Sequence, residues 1–150
     1  MQDNLQSELL LSTNTDNDNT KSSIINGYGS LSLAYIGDAV FEIFARTKVV
    51  RENNSNVNKM NSLTKEYVKA VNQAKMFHMA MEIATEEEVA VLKRGRNAKA
   101  NHNAKNASVG EYKQATGLEA LFGYLYLTGQ IQRLEVFFEY VCGYKEKDKK

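Results

Sequence analysis

Two acidic residues, Asp38 and Glu119, lie inside the two most apolar stretches of the chain. A carboxylate buried there without a cation or hydrogen-bond donors would be strongly unfavourable, because apolar surroundings do not replace its hydration. Two such acids in two apolar helices therefore indicate a shared site. A pair of carboxylates can hold Mg²⁺, a hard cation that prefers oxygen ligands and keeps several waters. A metal held in this way can polarise a phosphodiester and activate water for its hydrolysis.

A structural role for the same acids is equally open on spacing alone. An acid on an apolar helix often caps a neighbouring helix or pairs with an arginine, for which Arg46 is available. Glu42 follows Asp38 by one turn and is either a supporting acid or a surface residue that is solvated or paired with a lysine. The two histidines and the single cysteine are far apart in sequence and make a poor metal or nucleophile set: His78, His102 and Cys142.

A second candidate feature is the basic segment from residue 93 to residue 105, which contains no acid. We predict a long loop here, from Gly95 to Val109, and loops of that length inside compact domains are usually functional. Its bases are either solvated surface or contacts to phosphates. Because no aromatic residue is interleaved, gripping an RNA duplex is favoured over stacking on single strands. The candidate RNA-binding residues are Arg94, Arg96, Asn97, Lys99, His102 and Lys105.

The elements that must position these residues are all predicted to be helices. The stretch 26–51 is apolar in almost every helical direction, which predicts a central helix. Apolar residues recur at intervals of three and four over 57–81, which predicts one helix with one buried stripe. Thr85 and Glu88 form a capping box that predicts a short helix ending near Lys93. Two more helices are predicted over 110–128 and 130–141, and no segment alternates with period two. We therefore predict an all-α fold.

Composition bounds the class of protein. The chain has 150 residues, 43% apolar and 25% charged, with a net charge of +1, which is typical of one globular domain. We predict a polar arm at 1–25, the domain at 26–142 and a charged tail at 143–150. A single cysteine and no signal segment indicate a cytoplasmic setting. The apolar stretches are too short for a membrane span. No glycine-rich phosphate loop or zinc spacing is present, so we expect no nucleotide cofactor.

The stretch LAYIGDAVFE resembles the signature helix of the ribonuclease III family. Ile36, Gly37, Asp38 and Ala39 occupy the positions where that family has leucine, glycine, aspartate and a small residue. A second family motif, Glu-Ala-Leu followed by a variable residue and glycine, is matched by residues 119–123. The basic segment, the ending GLEALFGYLYLTG and the absence of an appended RNA-binding domain are similar to the compact Mini-III branch. The resemblance extends over residues 26–140.

This resemblance implies an all-helical endoribonuclease domain that forms a homodimer, with double-stranded RNA lying across one site from each protomer. It implies dependence on a divalent metal, Mg²⁺ with Mn²⁺ able to substitute, held by Asp38 and Glu119 as the catalytic carboxylates. For the Mini-III branch it further implies maturation of the 23S ribosomal RNA precursor. Without an RNA-binding domain, the catalytic domain must supply nearly all of the affinity, so the basic segment gains importance.

Two positions depart from the typical family pattern. Ala34 stands where the family has a glutamate one turn before the signature aspartate, and Thr116 stands where it has an aspartate three residues before the second glutamate. Four acids are thereby reduced to two, as the resemblance implies for the Mini-III branch. The alternatives are a catalytically weak or inactive module that binds double-stranded RNA in ribosome assembly, and a helical protein-interaction domain without affinity for RNA.

Overall fold

The computed structural model describes residues 27–99 and 107–147, and within these ranges it contains seven helices and no β-strand. The predicted all-α class is confirmed. The predicted polar arm at 1–25, together with His102 and Lys105, lies outside the described residues. The helices are α1 (Ser30–Glu52), α2 (Val57–Val68), α3 (Ala70–Ile83), α4 (Glu86–Asn97), α5 (Val109–Leu127), α6 (Ile131–Val141) and α7 (Tyr144–Lys147).

The central helix is α5, and the prediction that the first apolar helix, α1, would be the central one is wrong. Helix α5 is buried over residues 115–118 and again over residues 120–125, and it packs against α1, α3 and α4. One side of α1 is covered by α5, whereas the other side is exposed and carries large apolar side chains. These exposed residues are Leu31, Tyr35, Ile43 and Val50.

Glycines set the distances at which helices cross α5. A Cβ on Gly37 of α1 would lie 2.7 Å from the Gly123 backbone nitrogen, and closer still to the Glu119 carbonyl oxygen. A Cβ on Gly95 of α4 would lie 2.8 Å from the Gly117 Cα atom. Both distances are shorter than side chains tolerate, so α1 and α4 approach α5 backbone to backbone. Gly37 and Gly123 thus allow the backbones of α1 and α5 to meet.

The single helix predicted over 57–81 is two helices, α2 and α3, separated at Lys69. Lys69 has φ −59° and ψ 136°, which is an extended conformation that ends one helix and begins the next. The Glu66 carbonyl, left free at the end of α2, accepts hydrogen bonds from the Asn72 side chain and from the Tyr144 hydroxyl. The break turns the chain, so that α3 packs against α5.

Helix α4 begins as predicted but ends later. The Thr85 hydroxyl accepts from the Glu88 amide, and the Glu88 carboxylate accepts from the Thr85 amide, which confirms the capping box. The helix continues to Asn97 rather than ending near Lys93, because Gly95 is buried against α5 and keeps the last turn in place. The first part of the predicted loop is therefore helical.

The core extends past residue 142, the predicted end of the domain. Tyr144 is buried, and its hydroxyl bonds to α2. On α6, Arg133 donates two hydrogen bonds to the buried Glu88 carboxylate and one to the Ile83 carbonyl, which ties α6 to the start of α4. In the described part of the chain, no helix is both long and apolar enough to cross a membrane.

Candidate active site

The crossing of α1 and α5 brings Asp38 and Glu119 into contact. The two carboxyl groups line the same cleft, close enough for hydrogen bonding with Asp38 to be among the causes that raise the pKa of Glu119. The contact follows from the glycine crossing, since Gly37 precedes Asp38 and its backbone lies against the backbone of Glu119. Two residues that are distant in sequence thus form one pair. The sequence-based expectation of a shared site for the two acids agrees with this arrangement.

The contact between the two acids changes their electrostatics. Burial, followed by the hydrogen bond and the negative charge of Asp38, raises the pKa of Glu119 to about 9. The pKa of the Tyr112 hydroxyl is also raised, first by burial and further by the charges of Glu119 and Asp38, against a hydrogen bond with Thr116 that lowers it. At neutral pH Glu119 is therefore protonated, because a second negative charge beside Asp38 is unfavourable.

The pair opens into a cleft of about 400 Å³. Its three walls come from α1, from the junction of α2 with α3, and from α5. Asp38 itself is exposed on α1, and Glu119 is half-buried. The expectation that Asp38 would be a buried acid is therefore wrong. Its side of α1 is not covered by another described element. The lining residues are Leu31, Ala34, Tyr35, Asp38, Val68, Ala70, Gln73, Tyr112, Ala115, Thr116 and Glu119.

The structural alternative in which Arg46 pairs with Asp38 or Glu119 is not observed among the residues that the structure describes. Within the described residues, Arg46 lies 3.6 Å from Glu42 on the surface of α1, and this is the ion pair it forms. Glu42 is therefore an arginine-paired surface residue, close to the solvated role considered for it. Ala34 and Thr116, the positions that depart from the family pattern, both line the cleft. No third acid, histidine or cysteine joins the pair among the described residues.

The predicted RNA-binding residues lie at the end of α4 and just beyond it. We call Lys93, Arg94, Arg96, Asn97 and Lys99 the basic end of α4. Most of these side chains are exposed. The Arg96 guanidinium lies 5.9 Å from the centre of the Phe77 ring, and its Nε donates to the Asn97 side chain. None of the five lines the acid cleft.

The sequence reasoning missed Gln73, a buried polar residue of the cleft. Its side chain is 3% exposed, and its Nε2 has no hydrogen-bond partner among the described residues. A glutamine in a helical stretch gives no signal in sequence. It could have been found only by predicting the break at Lys69, which brings the start of α3 to the cleft.

The chain is similar to known proteins over most of its length. Residues 31–130 match the model of the Ribonuclease III domain, which includes both carboxylates. The Mini-ribonuclease 3 of Clostridium tetani is 46% identical over 118 residues, covering 78% of each chain. The chain belongs to the ribonuclease III family, in its Mini-ribonuclease 3 branch. The chain is accordingly an endoribonuclease. The family to which it belongs acts on double-stranded RNA and generally depends on a metal ion.

Two further relatives support the assignment to the ribonuclease III family. The Mini-ribonuclease 3 of Enterococcus faecalis is 47% identical over 107 residues, covering 70% of this chain and 81% of that protein. A crystal structure of a protein from Fusobacterium nucleatum superposes with a TM-score of 0.71 at 30% identity, covering 79% of this chain and 95% of the other. The similarity therefore extends over most of this chain and most of both relatives.

Proposed function

We propose that this chain is a Mg²⁺-dependent endoribonuclease that cuts double-stranded RNA, with Asp38 and Glu119 as its metal ligands and catalytic carboxylates. The observation that carries the proposal is the contact between these two acids in an open cleft. Oxygen ligands of this kind suit Mg²⁺, and Mn²⁺ is expected to substitute for it. A bound metal supplies polarisation of the phosphodiester and a lower pKa for its water.

The residues of the cleft fit such a cation. A divalent cation would displace the proton of Glu119 and balance the charges of both carboxylates. Ala34 and Thr116 offer no carboxylate, so the two acids provide the charge and leave room for water and phosphate oxygens. Gly37 and Gly123 hold the two backbones close enough for the carboxyls to meet.

The basic end of α4, with His102 and Lys105, is proposed to grip the RNA backbone. The support is a group of cations without acids between residues 93 and 105, at the end of a helix fixed against α5 by Gly95 and Gly117. Gly117 is two residues before Glu119 on α5, so the proposed RNA-binding residues are packed against the helix that carries one of the two acids. Contacts to phosphates and 2′-hydroxyls suit a duplex.

We further propose that the enzyme acts as a homodimer. The exposed side of α1 carries Leu31, Tyr35, Ile43 and Val50, with Tyr35 75% exposed and Ile43 65% exposed. Apolar side chains grouped in this way mark protein-interaction surfaces. Leu31 and Tyr35 also line the acid cleft, so a second copy on this side would border the site. The proposed natural substrate, the 23S ribosomal RNA precursor, and a cytoplasmic location rest on the sequence resemblance and composition.

The test is cleavage of a long RNA duplex by purified protein, with Mg²⁺ and with a chelator. Wild type is expected to cut only with metal, and Asp38→Asn is expected to show no detectable cutting, since a metal ligand and a charge are lost. Glu42→Gln is the matched control, because it removes an acid one turn away that pairs only on the surface. Cutting by Asp38→Asn at the wild-type rate would exclude this assignment.

The alternative of a catalytically silent RNA-binding module is separated by the same assay. Such a module would bind the duplex and leave it intact with or without metal. A protein-interaction domain would show no affinity for RNA. Circular dichroism of Asp38→Asn and Glu42→Gln shows whether either variant has lost its helices.

A further inference from the structure

The buried side chain of Gln73 has no role in the pair formed by Asp38 and Glu119 as described above. It is 3% exposed, it lines the cleft that contains Asp38 and Glu119, and its Nε2 lacks an acceptor among the described residues. Buried donors are almost always satisfied, because an unmade hydrogen bond is unfavourable. The donor therefore indicates an acceptor that enters the cleft.

The same wall of the cleft contains the start of a helix. Ala70, the first residue of α3, lines the cleft, and Lys69 at the capping position supplies no side-chain hydrogen bond. The Asn72 and Gln73 amides donate to the Lys69 carbonyl, so the donors left without an acceptor at this end are the first two amides, those of Ala70 and Val71. The 14-residue α3 also carries a partial positive charge at this end. An uncapped N-terminus and an unsatisfied amide donor together suit an anion.

We propose that Gln73 and the N-terminus of α3 bind a phosphate group of the RNA backbone in the cleft. The proposal rests on the proposed function for its choice of substrate. Phosphate oxygens accept from both kinds of donor, as at other helix N-termini. The donors lie on the wall formed by α3, whereas the acids lie on α1 and α5, so a phosphate here would be held between amide donors and the carboxylate pair. The acids repel it unless a cation balances them.

The decisive variant is Gln73→Leu, which approximates the volume of the side chain and removes its polar atoms. We expect kcat/KM for duplex cleavage to fall by about 10- to 100-fold, the range for a lost hydrogen bond to a charged group. The melting temperature should be unchanged or higher, because an unsatisfied buried amide is replaced by an apolar group. Gln132→Leu, at an exposed position on α6, is the matched control and should resemble wild type.

Binding separates this proposal from the proposed function. Duplex affinity is measured with chelator in the Asp38→Asn background, which removes one repelling charge and blocks cutting. Adding Gln73→Leu should weaken duplex binding several-fold, whether or not the wild type proves to be a nuclease. Mn²⁺ affinity, measured by electron paramagnetic resonance in protein with native Asp38, should not change with Gln73→Leu.

Three results would overturn the proposal. Wild-type cleavage and duplex affinity in Gln73→Leu would show that the amide contacts no phosphate. A lower Mn²⁺ affinity would show that Gln73 serves the metal instead. A lower melting temperature would show a structural role for Gln73. The binding test is then repeated with Gln73→Met, a flexible apolar replacement that disturbs packing less. Unchanged duplex affinity in Gln73→Met would also overturn the proposal.

Discussion

Replacing Gly37 with alanine tests whether the crossing of α1 and α5 builds the acid pair. The added Cβ would lie 2.6 Å from the Glu119 carbonyl carbon and 2.7 Å from the Gly123 nitrogen, both backbone atoms. Ordinary contacts need about 3.4 Å. The two helices must therefore separate by about 0.8 Å or more at the point where Asp38 meets Glu119, since backbone cannot rotate away as a side chain does.

Gly37→Ala should lower both the stability of the protein and its rate of RNA cleavage. Overpacking typically lowers the free energy of unfolding by about 1 to 3 kcal/mol, and a clash with backbone on two sides belongs at about 3 kcal/mol. For a chain of this length that corresponds to a melting temperature lower by roughly 6 to 12 °C. A displacement near 1 Å between reacting groups costs about 100-fold in rate, so Gly37→Ala should cut duplex RNA about 100-fold more slowly at a temperature where it is folded.

The assay combines thermal melting by circular dichroism with initial rates of duplex cleavage. Gly110→Ala is the matched control on α5, because a Cβ there meets only the Ser108 hydroxyl, at 3.9 Å. The control should keep wild-type activity and melt at the same or a slightly higher temperature, as alanine favours helix over glycine. A Gly37→Ala protein that melts within about 2 °C of wild type and cuts normally would refute the argument.

Four further predictions follow from the described contacts. Metal-free protein should lose stability as pH rises from about 5 to 9, because Glu119 is protonated when folded and ionises on unfolding; Glu119→Gln should abolish that slope in melting curves. Arg133→Met should lower the free energy of unfolding by about 3 kcal/mol, since it leaves Glu88 buried and unpaired. That loss should shrink in acid. Burial raises the pKa of Glu88, but the hydrogen bonds from Arg133 and Thr85 outweigh burial, so the net pKa is lowered. The stabilisation by Arg133 is therefore present above pH 4.5 and is lost as the pH falls below it. Removing charges from the basic end of α4 should flatten the salt dependence of RNA binding by about one unit per lost phosphate contact, and an unchanged slope in a binding titration would argue against the grip. Ile43→Glu should shift sedimentation towards monomer while Val57→Glu does not; a dimer in both would exclude the exposed side of α1 as the interface.

The local signals in the sequence predicted most of the secondary structure. Apolar spacing located the helices, and the capping box at Thr85 fixed the start of α4, because both depend on residues within one or two turns. The chemistry was predicted less directly. Spacing alone left metal binding and structural capping equally open for Asp38, and the resemblance of its motif and that of Glu119 to one family favoured the first.

Features that depend on the partner of a helix were not predicted. Gly95 was interpreted as the start of a loop, yet its missing side chain is what lets α4 pack on α5 and stay helical to Asn97. The break at Lys69 has no glycine or proline to mark it. The apolar side of α1 was interpreted as part of the core, because composition does not distinguish a buried face from one that contacts another molecule.

The sequence by itself therefore determined most of the helices, the family and the choice of Asp38 and Glu119 as the proposed metal ligands. Only the tertiary structure decided that these acids touch, that Glu119 holds a proton to about pH 9, and that Gln73 shares their cleft. The physical reason is that helix formation is governed by neighbours along the chain, whereas the charge state and contacts of a side chain depend on groups that approach it from distant parts of the sequence.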